Sequence, residues 1–342
     1  MSTPRTTVLS RRGLLSAGGA LGLGALLTAC GGSGSSDSSS KNDSGKSGGP
    51  WTFKDDRGTT VKAGSTPKRI VAFTGTAAAL HDFGVECVGV FGPTTLKNGK
   101  PDPQAGDLDV AKVKVLGNTW GEFSVEKYAS LNPDLLVTNM FEPGALWYVP
   151  DDSKDKILGL APSVGLTSAR VSMLKPIERY AELAASLGAD LKAKKVTDAK
   201  ARFEKAAETL RRTAKSHRVK VMAASGSADL FYVSNPAVNA DLMYFRELGV
   251  DFVVPQKLDK GGYFESLSWE NANKYEADLI LLDSRTSALQ PKDLAAKPTW
   301  AKLPAVEAGQ VSPWLSEPRF SYAGCAPLLE SLTAAIEKAK KL

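Results

Sequence analysis

Histidine is almost missing from this chain: His81 and His217 are the only two in 342 residues. Two imidazoles are too few for a histidine-based metal centre and leave little material for a Ser-His-Asp triad. Cysteine is nearly as scarce, with Cys30, Cys87 and Cys325 and no C-x-x-C pair. Neither H-E-x-x-H nor a phosphate-binding P-loop occurs. The sole G-x-S-x-G run, Gly45 to Gly49, lacks a strand–turn–helix context and is not a nucleophile elbow. His81 lies among apolar neighbours and reads as structural rather than ligating. Long apolar runs are missing too. Residues 13–29 are too short and too rich in glycine to cross ~30 Å of hydrocarbon comfortably. Charge of one sign is in small excess. Of the net +6, three charges belong to Arg5, Arg11 and Arg12, and the remainder gives no argument for a nucleic-acid partner. These absences count against catalysis, a resident metal and DNA or RNA, and point towards binding.

The apolar stretch that follows Arg11-Arg12 ends in Leu27-Thr28-Ala29-Cys30. A positive segment, an apolar segment and small residues before a cleavage point make a secretory signal. With cysteine next in line, the segment resembles the lipobox of bacterial lipoproteins, which implies cleavage before Cys30 and acylation of its thiol with diacylglycerol and palmitate. Ser10-Arg11-Arg12-Gly13-Leu14-Leu15 resembles a twin-arginine export motif, with Leu14 where phenylalanine is most usual. Residues 1–29 are therefore expected to be a signal peptide, and 30–50 an acylated cysteine with a tether. Gly31 to Gly49 is nearly all Gly, Ser, Asp, Asn and Lys and cannot bury enough apolar area to offset its conformational entropy. Cys87 and Cys325 would then face an oxidising compartment, where a disulfide or two buried thiols are both compatible with the sequence.

From Trp51 onward, short β-branched runs alternate with amphipathic segments. Arg69 to Phe73, Val85 to Val90 and Leu135 to Thr138 read as strands; Thr76 to Phe83 and Val125 to Leu131 read as helices. The fold class is α/β, with two Rossmann-like lobes of mostly parallel sheet. Between them, Ala189 to Arg218 is rich in Ala, Lys, Glu and Arg and has no Pro or Gly. It predicts a connecting helix over 189–218, about 45 Å long. The lobes are expected at 51–188 and 219–342. After Arg218 the strands Val219 to Ala223, Val250 to Val254 and Leu279 to Leu282 resume the rhythm, and an amphipathic helix runs from Ala326 to the end.

The halves echo each other. Ser124-Val125-Glu126 precedes Asp134-Leu135, and Ser268-Trp269-Glu270 precedes Asp278-Leu279, at one constant offset. Each Ser is expected to cap a short helix with Glu in its first turn. Aromatic residues fall in loops that follow strands: Trp120, Phe141, Trp147, Tyr148, Phe231, Tyr232, Tyr263, Trp314 and Tyr322. Such loops hold ligands in α/β sheets, although any one of these side chains is equally suited to local core. Arg285 and Arg319 stand where a guanidinium can donate to ligand oxygens or form a surface ion pair.

Together the lipobox, the tether, the two lobes, the long helix and the paired glutamates resemble the iron–siderophore substrate-binding proteins of ABC importers. The likeness covers 51–342 and is closest at Arg69-Ile70-Val71-Ala72, at Ser124 to Leu135 and at Ser268 to Leu279, where Ala277-Asp278 replaces the usual Pro-Asp. It implies a non-enzymatic monomer, lipid-anchored at the outer face of the cytoplasmic membrane, that captures a ferric siderophore and delivers it to a permease dimer. No cofactor is implied, since iron enters inside its chelate. Glu126 and Glu270 match the acids that dock onto permease arginines. The cleft is expected to use Trp120, Trp147, Tyr148, Tyr232, Arg285, Trp314, Arg319 and Tyr322, and the long helix to keep closure small. A hydroxamate-type chelate is favoured, because highly anionic catecholate complexes would call for a denser basic cleft. Corrinoid or haem is the runner-up cargo. An enzyme exported by the twin-arginine route is the rival from another class.

Overall fold

Two runs of apolar, β-branched residues nucleate two separate sheets. The computed structural model describes residues 49–342; the expected signal peptide, Cys30 and nearly all of the tether lie outside the described residues. An antiparallel hairpin, β1 (Trp51–Lys54) and β2 (Thr60–Ala63), comes first and was not expected from sequence. The first sheet is formed by β3 (Ile70–Phe73), β4 (Gly89–Phe91), β5 (Lys114–Val115), β6 (Leu135–Met140) and β7 (Ser163–Thr167). Its order is β5-β4-β3-β6-β7, with every pair parallel. β3 and β6 are buried along their whole length, as central strands covered on both faces must be. α1 (Thr74–Asp82), α2 (Val125–Ser130), α3 (Lys154–Leu160) and α4 (Leu174–Ser186) complete this lobe.

The connecting helix, α5 (Lys194–His217), has 24 residues and is about 36 Å long. It starts five residues later than expected because Asp190 turns the chain. Its carboxylate accepts from Lys192 N at 2.9 Å and its carbonyl from Ala193 N at 3.0 Å. The second sheet comprises β8 (Lys220–Gly226), β9 (Leu230–Ser234), β10 (Asp251–Phe252), β11 (Phe264–Ser268), β12 (Leu279–Asp283) and β13 (Val311–Trp314). The order is β11-β9-β8-β12-β13, with β10 beside the first residues of β8. Only β9 runs against its neighbours. α6 (Ala240–Glu247), three one-turn helices α7 (Pro291–Leu294), α8 (Pro298–Ala301) and α9 (Pro304–Glu307), and α10 (Tyr322–Lys338) finish the chain. Each one-turn helix opens on proline, whose missing N–H is not needed there.

One apolar core runs from Ile70, Val90 and Val137 through the buried stripe of α5 to Val221 and Leu281. On α5 the stripe is Val196, Phe203, Ala206, Leu210 and Ala214, which packs with Leu329, Leu332 and Ile336 of α10. Arg202 of α5 reaches Glu330 of α10 through two hydrogen bonds, at 2.8 and 2.6 Å. Backbone pairing joins the lobes a second time. Ala169 bridges Asn239, Arg170 N donates to Val238 O at 2.7 Å, and Met173 N donates to Ala240 O at 2.9 Å. Cys87 and Cys325 are both buried free thiols, so the two-thiol alternative holds. Burial raises both pKa values, that of Cys87 to about 12, which leaves them protonated and inert.

Phe203 marks the junction. Its ring stacks on Tyr244 of α6 at 5.7 Å and meets Tyr322 of α10 at 5.6 Å. Phe203→Ala should cost about 3–5 kcal/mol of unfolding free energy, as large-to-small changes in a packed core do. Urea unfolding followed by circular dichroism checks this; a loss below about 1 kcal/mol would mean that the junction carries little stability.

Candidate functional site

Ligands of α/β sheets sit beyond the carboxyl ends of the strands. β6 ends at Met140, and the loop behind it carries Phe141, Trp147 and Tyr148. β12 and β13 end at Asp283 and Trp314, and the loops behind them carry Arg285 and Glu317. These side chains meet across the lobes. Glu317, only 7% exposed, accepts from Trp147 Nε1 and Gln104 Nε2, both at 3.3 Å, and from the Arg285 guanidinium. Arg285 also donates to Asp283, at 3.1 Å from Nε to Oδ1 and 2.7 Å from Nη2 to Oδ2. Asp283 is fully buried and is held by Ser225 and Ser316 hydroxyls at 3.0 and 3.1 Å. Burial opposes the charge on Arg285, but Glu317 and Asp283 outweigh it and raise its pKa above the usual arginine range.

Aromatic rings form one wall. Trp120 lies 4.9 Å from both Trp147 and Tyr148, centroid to centroid, and Phe141 lies 4.9 Å from Trp147. Trp120 is 63% exposed, more than any other large apolar residue described. Tyr148 sits at φ 60, a left-handed conformation that costs energy for a bulky residue and is held in place by its packing. The Tyr148 hydroxyl is pushed up to about 12, first by burial, then by Glu317 and Asp102, against the lowering effect of Arg285. Opposite, Tyr263 donates its hydroxyl to Phe141 O, while Arg170 lies 5.2 Å over the Tyr263 ring. Arg170 also ties Glu142 at 2.8 Å to Gly261 O at 2.7 Å. A cavity of about 310 Å³ opens beside Trp120, Tyr148, Asp151 and Asp152. A larger one, about 580 Å³, lies beneath α7–α9, with apolar Leu282, Trp300 and Val311 in its wall and no charged group. The aromatic cleft therefore has the convergent polar groups that a specific ligand site needs.

Of the residues singled out from sequence, Trp120, Trp147, Tyr148 and Arg285 come together here. The other four are placed elsewhere. Trp314 is core: it is buried and donates to Asp241 Oδ2 at 2.6 Å. Arg319 is held by Asp82 at 2.9 Å and Asp107 at 3.1 Å, beneath the end of α1. Tyr322 packs on Phe83 and Phe203. Tyr232 packs on Phe264, with its hydroxyl 3.2 Å from that of Ser227. Glu317 and Gln104 were missed. Glu317 stands two residues before Arg319 in the sequence, but an acid beside a proline in a loop carries no signal of a partner in the other lobe.

Glu126 and Glu270 are both exposed, and their settings differ. Glu126 occupies the first turn of α2, where Ser124 Oγ accepts from Lys127 N at 3.3 Å. Glu270 sits in a 3-10 turn, Trp269–Asn271, rather than the expected α-helix. There Ser268 Oγ accepts from Asn271 Nδ2 at 2.9 Å and caps no backbone N–H. The Glu270 carboxyl is lowered by its own backbone N–H and by the Ser268 hydroxyl.

Comparison with known proteins bears on the family and the fold. The sequence matches the periplasmic binding protein family over residues 72–317, and the chain belongs to that family. Among solved structures it is similar to DesE, a ferric-siderophore receptor protein from Streptomyces coelicolor. The two are 58% identical over 85% of this chain and 99% of DesE, with a TM-score of 0.83. The same fold occurs in the siderophore periplasmic binding protein of the fuscachelin gene cluster of Thermobifida fusca, at 22% identity, TM-score 0.57 and coverage of 79% and 96%. It occurs again in the petrobactin-binding protein YclQ of Bacillus subtilis, at 19% identity, TM-score 0.62 and coverage of 84% and 99%. Comparison with curated protein sequences gave no match.

Trp314 offers a spectroscopic reporter. Burial raises the Asp241 carboxyl from 3.8 to about 6, against the lowering effect of the Trp314 and Leu242 donors. The folded state thus holds this proton more tightly than the unfolded chain does. Its contribution to stability is complete below the unfolded value of 3.8 and is lost as pH rises through about 6. Tryptophan emission should show a step near pH 6 that disappears in Asp241→Asn. A flat wild-type titration between about pH 5 and 7 would contradict the assignment.

Proposed function

We propose that this protein captures a ferric siderophore of hydroxamate type outside the cytoplasmic membrane and delivers it to an ABC permease. The aromatic cluster of Trp120, Phe141, Trp147 and Tyr148, set against Glu317 and Arg285, carries this reading. Such a wall gives stacking surface and a few directional groups, which suits cargo that brings its own iron ligands. Among the described residues, no group of three or more His, Cys, Asp or Glu side chains is placed to hold a metal ion directly. DesE, so similar over nearly the whole described chain, is a ferric-siderophore receptor. The choice of hydroxamate rests on charge. Arg285 is already shared between Asp283 and Glu317, and Arg170, opposite the aromatic wall, is paired with Glu142, so neither is a spare cation for a highly anionic tricatecholate.

Ferric chelates absorb in the range where tryptophan emits, so binding should quench Trp120 and Trp147. A titration of the mature protein against a ferric trihydroxamate, a ferric tricatecholate and haem distinguishes the cargo classes. Saturable quenching at sub-micromolar concentration is expected for the trihydroxamate alone. Preference for the tricatecholate or haem would overturn the assignment.

Delivery is assigned to Glu126 and Glu270, one exposed acid on each lobe, facing arginines of the two permease subunits. Anchoring is assigned to acylated Cys30, with the folded monomer tethered by 31–50. In cells, Glu126→Ala with Glu270→Ala should preserve chelate affinity and abolish most iron uptake, and Cys30→Ala should release the protein from the membrane fraction. Charge reversal to Arg should be worse than Ala, since like charges would then oppose each other. Full uptake by the double variant leaves Glu126 with a first-turn dipole role only.

A further inference from the structure

Residues 317–321 lie between β13 and α10 in the second lobe, yet four of their five side chains reach the first. Glu317 accepts from Gln104 and Trp147. Phe320 is buried and stacks on Tyr180 of α4, at 6.5 Å and 19° between ring planes. The Ser321 hydroxyl donates to Asp82, the last residue of α1, and accepts from Gly324 N at 2.9 Å. The N-terminal cap of α10 is thus tied to the first lobe. This segment forms a strap across the junction.

Arg319 sits at its centre. Its Nε forms an ion pair with Asp82 Oδ2 at 2.9 Å, and its Nη2 donates to Asp107 Oδ2 at 3.1 Å. Asp82 is almost wholly buried, and a carboxylate out of water persists only beside a cation or several donors. The arginine side chain is 15% exposed and fills a slot between two glycines. A Cβ on Gly106 would stand 1.5 Å from Nη1, and one on Gly324 2.2 Å from Cγ. Arg319 therefore serves acids of the first lobe from a slot outside the aromatic wall. The strap that it pins holds Trp147 twice. Glu317 takes the indole N–H at 3.3 Å. Phe320 packs on Tyr180, whose hydroxyl donates to Asn139 Oδ1, and the Asn139 carbonyl accepts from Trp147 N at 2.9 Å. Trp147 is central to the wall, 4.9 Å from Trp120 and Phe141 and 5.7 Å from Tyr148.

We propose that Arg319 is a positioning residue for the cargo site. By pinning the strap to Asp82 and Asp107 it sets Glu317, and through Glu317 it fixes the indole of Trp147 in the wall. A ring held in place before binding loses less rotamer freedom when cargo arrives, which raises affinity without any contact from Arg319 itself. The effect on cargo rests on the siderophore reading; the effect on Trp147 does not.

The protein has six tryptophans, so Trp147 is followed by fluorine NMR of fluorotryptophan-labelled protein, its resonance assigned with Trp147→Phe. In cargo-free protein, Arg319→Met should shift or broaden the Trp147 resonance and leave those of Trp269 and Trp300, in the separate core of the second lobe, unmoved. Affinity for a linear ferric trihydroxamate, measured by calorimetry, should fall about tenfold, the scale of ordering one side chain on binding. In a Trp147→Phe background the same substitution should change affinity by less than about twofold, because the N–H that Glu317 holds is gone. Arg319→Lys keeps a cation beside Asp82 but loses the fork that also reaches Asp107, and it carries the test if Arg319→Met does not fold. An unmoved Trp147 resonance in the folded variants would overturn the proposal. Equal losses of affinity in both backgrounds would overturn it too, since Arg319 would then act independently of Trp147. Failure of the wild type to bind the trihydroxamate would overturn the hydroxamate reading, and the cargo-free resonances would still decide the positioning role.

Discussion

The continuous core along α5 is the constraint on which the rest depends. A 24-residue helix with a buried stripe cannot stand alone in water, because isolated helices gain most of their stability from packing. Here α10 covers it, and both sheets share the same apolar cluster. The two lobes are therefore held at one spacing and one rotation. The backbone pairing of residues 169–173 with 238–240 adds a second fixed point. With two junctions, large hinge rotation would have to break hydrogen bonds and core contacts together.

That fixed geometry is what lets Glu317 act across the cleft. Its carboxylate touches Gln104 and Trp147 of one lobe and Arg285 of its own. Buried carboxylates persist only where donors compensate the lost water, and three donors do so here. The same network explains why the arginine does not offer a free positive charge. Arg285 compensates two buried acids, although the whole chain carries a net positive charge. Net charge of the sequence is a poor guide to the charge that a ligand meets.

Much of the fold was legible from local pattern. β3, β6 and β12 are fully buried strands, and their apolar stretches Ile70–Phe73, Leu135–Val137 and Leu279–Leu282 were readable. α5 showed its stripe at helical spacing, although its start was read too early because the turn at Asp190 has no Gly or Pro to announce it. The β1–β2 hairpin went unseen, since its four-residue strands alternate too briefly to stand out. In the candidate site, Trp120, Trp147 and Tyr148 were singled out by their place in loops between elements, a signal that core aromatics share, and the structure brings their rings together. Trp314 and Tyr322 were read the same way, but they close β13 and open α10 and are packed in the core or at its edge. Sequence position cannot say on which side of a strand end the chain turns back.

The sequence by itself determined the α/β class, the two lobes, the long link and the absence of catalytic motifs, because these follow from periodicity and residue inventory. It also carried the family likeness in short local runs around Glu126 and Glu270. Only the tertiary structure decided which aromatic rings share a wall, that Arg285 is shared by Asp283 and Glu317, and that Gln104 reaches Glu317 from the other lobe. Those facts depend on contacts between residues far apart in the chain, Gln104 with Glu317 and Trp147 with Glu317, and a pairing across some two hundred positions leaves no trace in either neighbourhood.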